Sequence, residues 1–396
     1  MDSPSSLSNG TLAVRGGEER PLALGSAQVP IFQSAAFAYP DIETWQAAAL
    51  GVATGDIYSR NSNPTVRVFE EKVRLLERAE AATAFASGMA AISNTLFALL
   101  RPGDRVVSVT DTYGGTSKLF LKFLPDMGIK VDLVDTGDHA GLDAAISQGC
   151  KVVYLETPTN PTLKIIDLPR AIAAAKRVGA TVIVDNTFAT PINQLPISLG
   201  ADLVVHSATK FLGGHDDAMG GILAGRAALV SQVHHYREIN GACLSAMSAY
   251  LLLRGLKTIE LRVARQNANA LSMAVHLNAH PAVDAVFYPG LETHRDHAIA
   301  ANQMTGFGGV LSFAVKGGVD ASTRFLNSLR LAQRAASLGS VNTLAGPPRT
   351  TSHVECSAEE RAQLGIPESL VRYSCGIENF EDLRADVDQA LKYVGV

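Results

Sequence analysis

Residues 201–221, ADLVVHSATKFLGGHDDAMGG, run from an apolar β-segment into a turn of small hydroxyl residues and glycines with Lys210 at its centre. Leu203 to His206 has the strand pattern, and Ser207 and Thr209 offer hydroxyl donors. Gly213 and Gly214 let the backbone pass close to a bound group. Lysine is the side chain that forms Schiff bases once burial or a neighbouring cation makes its amine nucleophilic. A second apolar run, Thr181 to Val184, ends on a carboxylate, Asp185. Ligands of open α/β sheets lie beyond the carboxyl ends of the strands, so these two strand ends define one candidate site.

Further β-runs read from the sequence are Arg105 to Val109, Lys130 to Val134, Lys151 to Leu155 and Gly221 to Ala224, with helical segments between them. That alternation predicts an α/β architecture, a mostly parallel sheet covered by helices. Residues 1–61 read as an irregular arm with helical character only around Ile42 to Leu50. An amphipathic helix follows, with Val66, Phe69, Val73 and Leu76 on one face. Beyond Leu256 the pattern changes to a long helix reaching Asn278, shorter strands at Val283 to Tyr288 and Val310 to Val315, and a final helix from Phe380 to Tyr393. The division expected is an arm at 1–61, a large domain at 62–255 and a smaller α+β domain at 256–396.

Composition excludes more than it selects. With 396 residues, 47% of them hydrophobic, the chain can bury a large core. A balance of 34 basic against 38 acidic residues provides no basic field for nucleic acid. The opening MDSPSSLSNG lacks the apolar core of a signal peptide, and no apolar run is long enough to span a bilayer. Four scattered cysteines without a CxxC pair fit a reducing compartment, and a cytoplasmic location is expected. The ten histidines show no ligand spacing, so no metal is expected.

The lysine and the acid together suit pyridoxal phosphate, whose pyridine nitrogen stays protonated against a carboxylate so that the ring can act as an electron sink. A phosphate needs a cradle, and FASGMAA (85–91) supplies one where Ser87, Gly88 and Met89 open an apolar helix with free N–H groups. Upstream, YSRNSNPT (58–65) brings Arg60, a possible phosphate clamp.

YSRNSNPT, SGMAA, DTYGGT, LETPTNPT, VDNTFATP, HSATKFLGGH, LLLRGLKT, SLG (337–339) and RYSCGIE (372–378) follow one another along nearly the whole chain. In this order they resemble the Cys/Met-metabolism, or trans-sulfuration, family of pyridoxal phosphate enzymes, cystathionine γ-synthase among them. The resemblance implies the aspartate-aminotransferase-like fold type I, with a large mostly parallel seven-stranded sheet domain and a smaller C-terminal α+β domain. It implies Lys210 as the cofactor lysine and proton carrier, and Asp185 as the partner of the ring nitrogen. By the same resemblance Tyr113 would stack on the ring and act near the γ-carbon, while Ser87, Gly88, Met89, Ser207 and Thr209 would serve the phosphate. It further implies that Asn160 contacts the ring hydroxyl or the substrate carboxylate, that Arg372 grips that carboxylate, and that Ser337 orients lysine or substrate. The resemblance also implies that Tyr58 and Arg60 reach the neighbouring subunit's phosphate site, and with it a homodimer with shared sites, assembled as a homotetramer.

Departures from the family pattern narrow the reaction. Cystathionine enzymes place acids just before YSR and just before SLG, where this chain has Ile57 and Ala336. An unpaired ammonium against apolar groups is costly, so a small or apolar γ-group suits the pocket better. Methionine γ-lyases carry a cysteine where Gly115 stands, and Asp216 replaces the serine more often found after GGH. The activity expected is γ-replacement on an O-acylhomoserine-type substrate through a vinylglycine-type intermediate, with a thiol or other nucleophile. The alternative is γ-elimination, as in a methionine or cystathionine γ-lyase. An aminotransferase or a non-enzymatic cofactor-binding protein ranks below both.

Overall fold

The computed structural model describes residues 7–18, 22–354 and 356–394. Most of the polar opening segment, residues 1–6, therefore lies outside the described residues. Seven strands make the large sheet: β1 Ala81–Phe85, β2 Arg105–Val109, β3 Lys130–Val134, β4 Val152–Glu156, β5 Thr181–Asp185, β6 Leu203–Ser207 and β7 Gly221–Gly225. Their order is β1-β7-β6-β5-β4-β2-β3. Strands β2 to β6 run parallel, whereas β7 is antiparallel to both β6 and β1.

The parallel strands read as near-continuous apolar runs because both faces are covered. On one face Val106, Val152, Tyr154, Ile183 and Val205 pack with Ala91, Ile92 and Leu96 of the helix Gly88–Leu99. On the other, Val107, Val153, Leu155, Val182 and Val184 meet the helices His139–Ser147 and Leu168–Arg177 through Leu142, Ile146 and Ile172.

A second sheet follows the 20-residue helix Ile259–Asn278. It comprises β8 Val283–Phe287, β9 Val310–Val315, β10 Gln333–Arg334, β11 Leu344–Gly346 and β12 Leu370–Ser374, in the order β10-β11-β12-β9-β8. Its own core gathers Phe313, Phe325, Tyr373 and Leu383.

Two features differ from the sequence reading. Strand β1, AATAF, is alanine-rich with weak β-propensity, and its identity comes from five-residue pairing with β7. The arm is also less irregular than expected, since Asn9–Arg15 forms a helix and Ala23–Gly25 a 3₁₀ turn in addition to the helix Ile42–Ala49. Leu12 and Ala13 of the first helix are buried with Phe69 and Val73 of the helix Pro64–Leu76. Burying a side chain the size of Leu12, Phe69 or Val73 is worth about 1.5–3 kcal/mol. Lys72 completes the contact: fully buried, its Nζ donates to Ala13 O (2.9 Å), Val14 O (3.1 Å) and Glu18 Oε1 (3.2 Å).

Candidate active site

The loops that leave the carboxyl ends of β2, β4, β5 and β6 enclose a cavity of about 340 Å³, closed on its far side by residues near β12. Strand order reverses between β2 and β4, which is where ligands of such sheets settle. Lining it are Ser87, Gly88, Met89, Tyr113, Asn160, Asp185, Ser207, Thr209, Lys210, Ala336 and Arg372. Eleven of the residues singled out in the sequence thus meet at one wall, and Ser337 joins them through Lys210. Ile57, Tyr58 and Arg60 are not on that wall. They lie in the arm, where Tyr58 is exposed and the Arg60 guanidinium carbon stacks 5.1 Å from its ring centre.

Lys210 sits in the turn after β6, with its Nζ donating to Ser337 Oγ at 3.1 Å. Burial lowers its pKa, the neighbouring Arg372 lowers it further, and Asp216 opposes both. Such a lysine loses its proton, and becomes nucleophilic, more readily than one in water.

Asp185 ends β5 and is buried. Its Oδ1 accepts from Thr187 N–H at 3.0 Å, and its Oδ2 accepts from the Tyr154 hydroxyl at 3.3 Å. Burial raises its pKa, against the lowering pull of Thr187 and of His206 behind it. His206 Nε2 lies 2.6 Å from Glu77 Oε1, which also accepts from Asn186 Nδ2 at 3.0 Å. The hydrogen-bond partners of Asp185 among the described residues are neutral, so a protonated ring nitrogen is the partner this acid lacks.

The helix Gly88–Leu99 begins opposite Ser207. Ser87 caps it by accepting from Ala90 N–H at 3.1 Å, which leaves the Gly88 and Met89 N–H groups for an anion. A Cβ on Gly88 would lie 2.8 Å from Ser207 Oγ, so only glycine keeps this gap open. Thr209 is fixed through its hydroxyl, which donates to Gly220 O (3.2 Å) and accepts from Gly220 N–H (3.0 Å). A lysine, an acid for a ring nitrogen and an N-terminal cradle fit pyridoxal phosphate.

Arg372 comes from β12, buried, with N–H groups on Asn160 Oδ1 and Ser337 O at 3.1 Å each. Burial pushes its pKa down to about 10, so it keeps its charge at neutral pH and suits a carboxylate. Arg372→Ala is expected to raise KM for an amino-acid substrate about 10²-fold, the cost of leaving a buried carboxylate without its partner. Steady-state kinetics check this, and a substrate amide should lose little; equal losses for acid and amide would contradict the role.

Glu156 was not singled out from the sequence, although LETPTNPT contains it. It ends β4 directly beside Asp185 in register, and its Oε2 accepts from Tyr113 N–H at 2.7 Å, fixing the loop that carries the tyrosine. Burial, then the neighbouring Asp185 charge, holds its carboxyl well above the usual range. An apolar strand ending in an acid, as in β5, was the available signal.

Comparison with known proteins agrees with this geometry. The family model described as Cys/Met metabolism PLP-dependent enzyme matches residues 10–392. L-methionine γ-lyase of Pseudomonas putida is 44% identical over 93% of this chain and 93% of its own. O-succinylhomoserine sulfhydrylase of Pseudomonas aeruginosa is 39% identical over 96% of this chain and 94% of its own. The structure of cystathionine γ-synthase from Xanthomonas oryzae pv. oryzae in complex with cystathionine superimposes with a TM-score of 0.93, at 38% identity, over 98% of each chain. The chain belongs to the Cys/Met-metabolism family of pyridoxal phosphate enzymes of fold type I, and acts at the γ-carbon of sulfur amino acids or homoserine esters as a transferase or lyase.

Proposed function

We propose that the protein catalyses γ-replacement on an O-acylhomoserine-type substrate, exchanging the ester group for a small thiol or sulfide. The observation that carries this choice is Gly115. A Cβ there would lie 2.7 Å from Met89 Sδ and 3.0 Å from Tyr113 Cε1, so a side chain at this position would have to displace both, and the chain lacks the cysteine expected there of a methionine γ-lyase. Met219, Ala336 and Leu338 are uncharged members of the cavity lining, and apolar contacts of this kind suit an acyl group or a thiol better than a distal ammonium.

Pyridoxal phosphate, when bound, supplies the electron sink that acidifies the substrate protons. Asp185 holds the charge on the ring nitrogen, and the Gly88 and Met89 N–H groups with Ser207 and Thr209 hold the phosphate. Arg372 and Asn160 orient the α-carboxylate. Lys210 Nζ takes the proton from the α-carbon and returns one at the end of the cycle, while the hydroxyl of Tyr113, which lines the cavity, gives a proton to the group leaving the γ-carbon. γ-Elimination shares every step up to that departure, and the identity to a methionine γ-lyase favours it as the second reading.

Incubating the enzyme with O-acetylhomoserine or O-succinylhomoserine, methionine and cystathionine, each with and without a thiol, tests the choice. New thioether from a homoserine ester, outrunning α-keto acid, is expected; α-keto acid as the main product with thiol present would refute replacement.

We propose further that Ile57, Tyr58 and Arg60 serve the cavity of a second subunit, since they are exposed or half-buried and away from the cavity of their own chain. A homodimer is then the smallest complete unit, and two such dimers a tetramer. Mixing inactive Arg60→Ala and Lys210→Ala chains should restore activity, because some hybrid dimers regain one site with both residues. Proven subunit exchange without recovery would place Arg60 outside the site.

A further inference from the structure

The hydroxyl of Ser337 is held from two sides. It accepts from Lys210 Nζ at 3.1 Å and donates its only proton to Asp216 Oδ1 at 3.2 Å. The result is a line of three groups, Lys210–Ser337–Asp216, running from the half-buried lysine on the cavity wall to an exposed carboxylate. Asp216 lies in the turn that follows the cofactor lysine, with φ of 54°, a left-handed conformation that aspartate, asparagine and glycine tolerate. Neither the phosphate cradle nor the carboxylate grip uses it.

We infer that Asp216 is a positioning residue for the cofactor lysine, its carboxylate fixing the Ser337 hydroxyl as an acceptor toward Lys210 and its negative charge favouring a proton on the lysine nitrogen. The cavity otherwise works against that proton. Of the ionisable groups around Lys210, Arg372 on β12 repels it; Tyr113 after β2, Glu156 at the end of β4 and Asp185 at the end of β5 line the same wall. Asp216 is the group that offsets Arg372. Serine, the residue more often met at this place, cannot do so because it carries no charge. The inference rests on Lys210 being the cofactor lysine.

Two substitutions separate charge from hydrogen bonding without straining the backbone. Asp216→Asn keeps an oxygen acceptor for Ser337 and loses the charge; Asp216→Gly loses both. The readout is the pH midpoint of the visible absorption of the lysine-linked cofactor in the holoenzyme, which needs no turnover. The midpoint is expected to fall by about half to one pH unit in both variants. Because Asp216 is exposed, the gap from the parent protein should narrow when salt rises from about 0.05 M to 0.5 M. Unchanged midpoints in both variants would overturn the inference, and so would a fall in Asp216→Gly alone, which would leave a hydrogen bond without a charge effect. Lys210→Ala is the control for the underlying reading: if it kept the lysine-linked absorption, the assignment of Lys210 would fail, whatever Asp216 does.

Discussion

Lys210→Ala is expected to abolish the covalent attachment of the cofactor and to lower turnover by on the order of 10⁴-fold or more, with the fold retained. The side chain's one hydrogen bond among the described residues goes to Ser337, and burying its ammonium is a cost that alanine removes, so no stabilising contact of weight is lost. Borohydride reduction followed by peptide mass spectrometry checks the result. A reduced adduct in the variant, or an adduct at another lysine in the parent protein, would refute the assignment. Circular dichroism of the variant should match the parent.

Asp185→Asn is the second large effect. The amide oxygen can still accept from Thr187 N–H, while the amide nitrogen takes the place of Oδ2 and donates to the Tyr154 hydroxyl oxygen, so the packing survives and the negative charge disappears. Cofactor should remain bound, while exchange of the substrate α-proton into deuterated water slows by about 10²–10³-fold. Near-normal exchange, followed by nuclear magnetic resonance, would reject the role. Glu156 and Tyr154 report on the same change from the protein side. The Asp185 charge raises the pKa of both, so both should fall in the variant.

What the sequence discloses of the site follows from how each residue is placed. Lys210 and Asp185 stand at or just beyond the ends of apolar strands, and strand ends are legible from local pattern. Arg372 is different. It lies within β12, flanked by Ser312 of β9 and Gly346 of β11, and nothing local separates it from a structural arginine; only the order of motifs along the chain picks it out. Glu77 and His206, 129 positions apart, support Asp185 from behind through a contact that no window of sequence contains. The first helix, Asn9–Arg15, spans seven residues, too short to be stable alone. It exists because Leu12 and Ala13 find the helix Pro64–Leu76 and because Lys72 binds its last carbonyls, so its cause is tertiary. Strand β1 is missed for the same reason: AATAF becomes a strand through its neighbour β7.

The left-handed backbone at Asp216 also bears on how this enzyme can change over generations. Aspartate, asparagine and glycine all tolerate that conformation, and the codons for aspartate lie one base from those for asparagine and for glycine. A single point mutation therefore switches the charge that reaches Lys210 through Ser337 on or off while the loop keeps its course. Selection can reset the proton affinity of the lysine in one mutational step, separately from the scaffold that holds it.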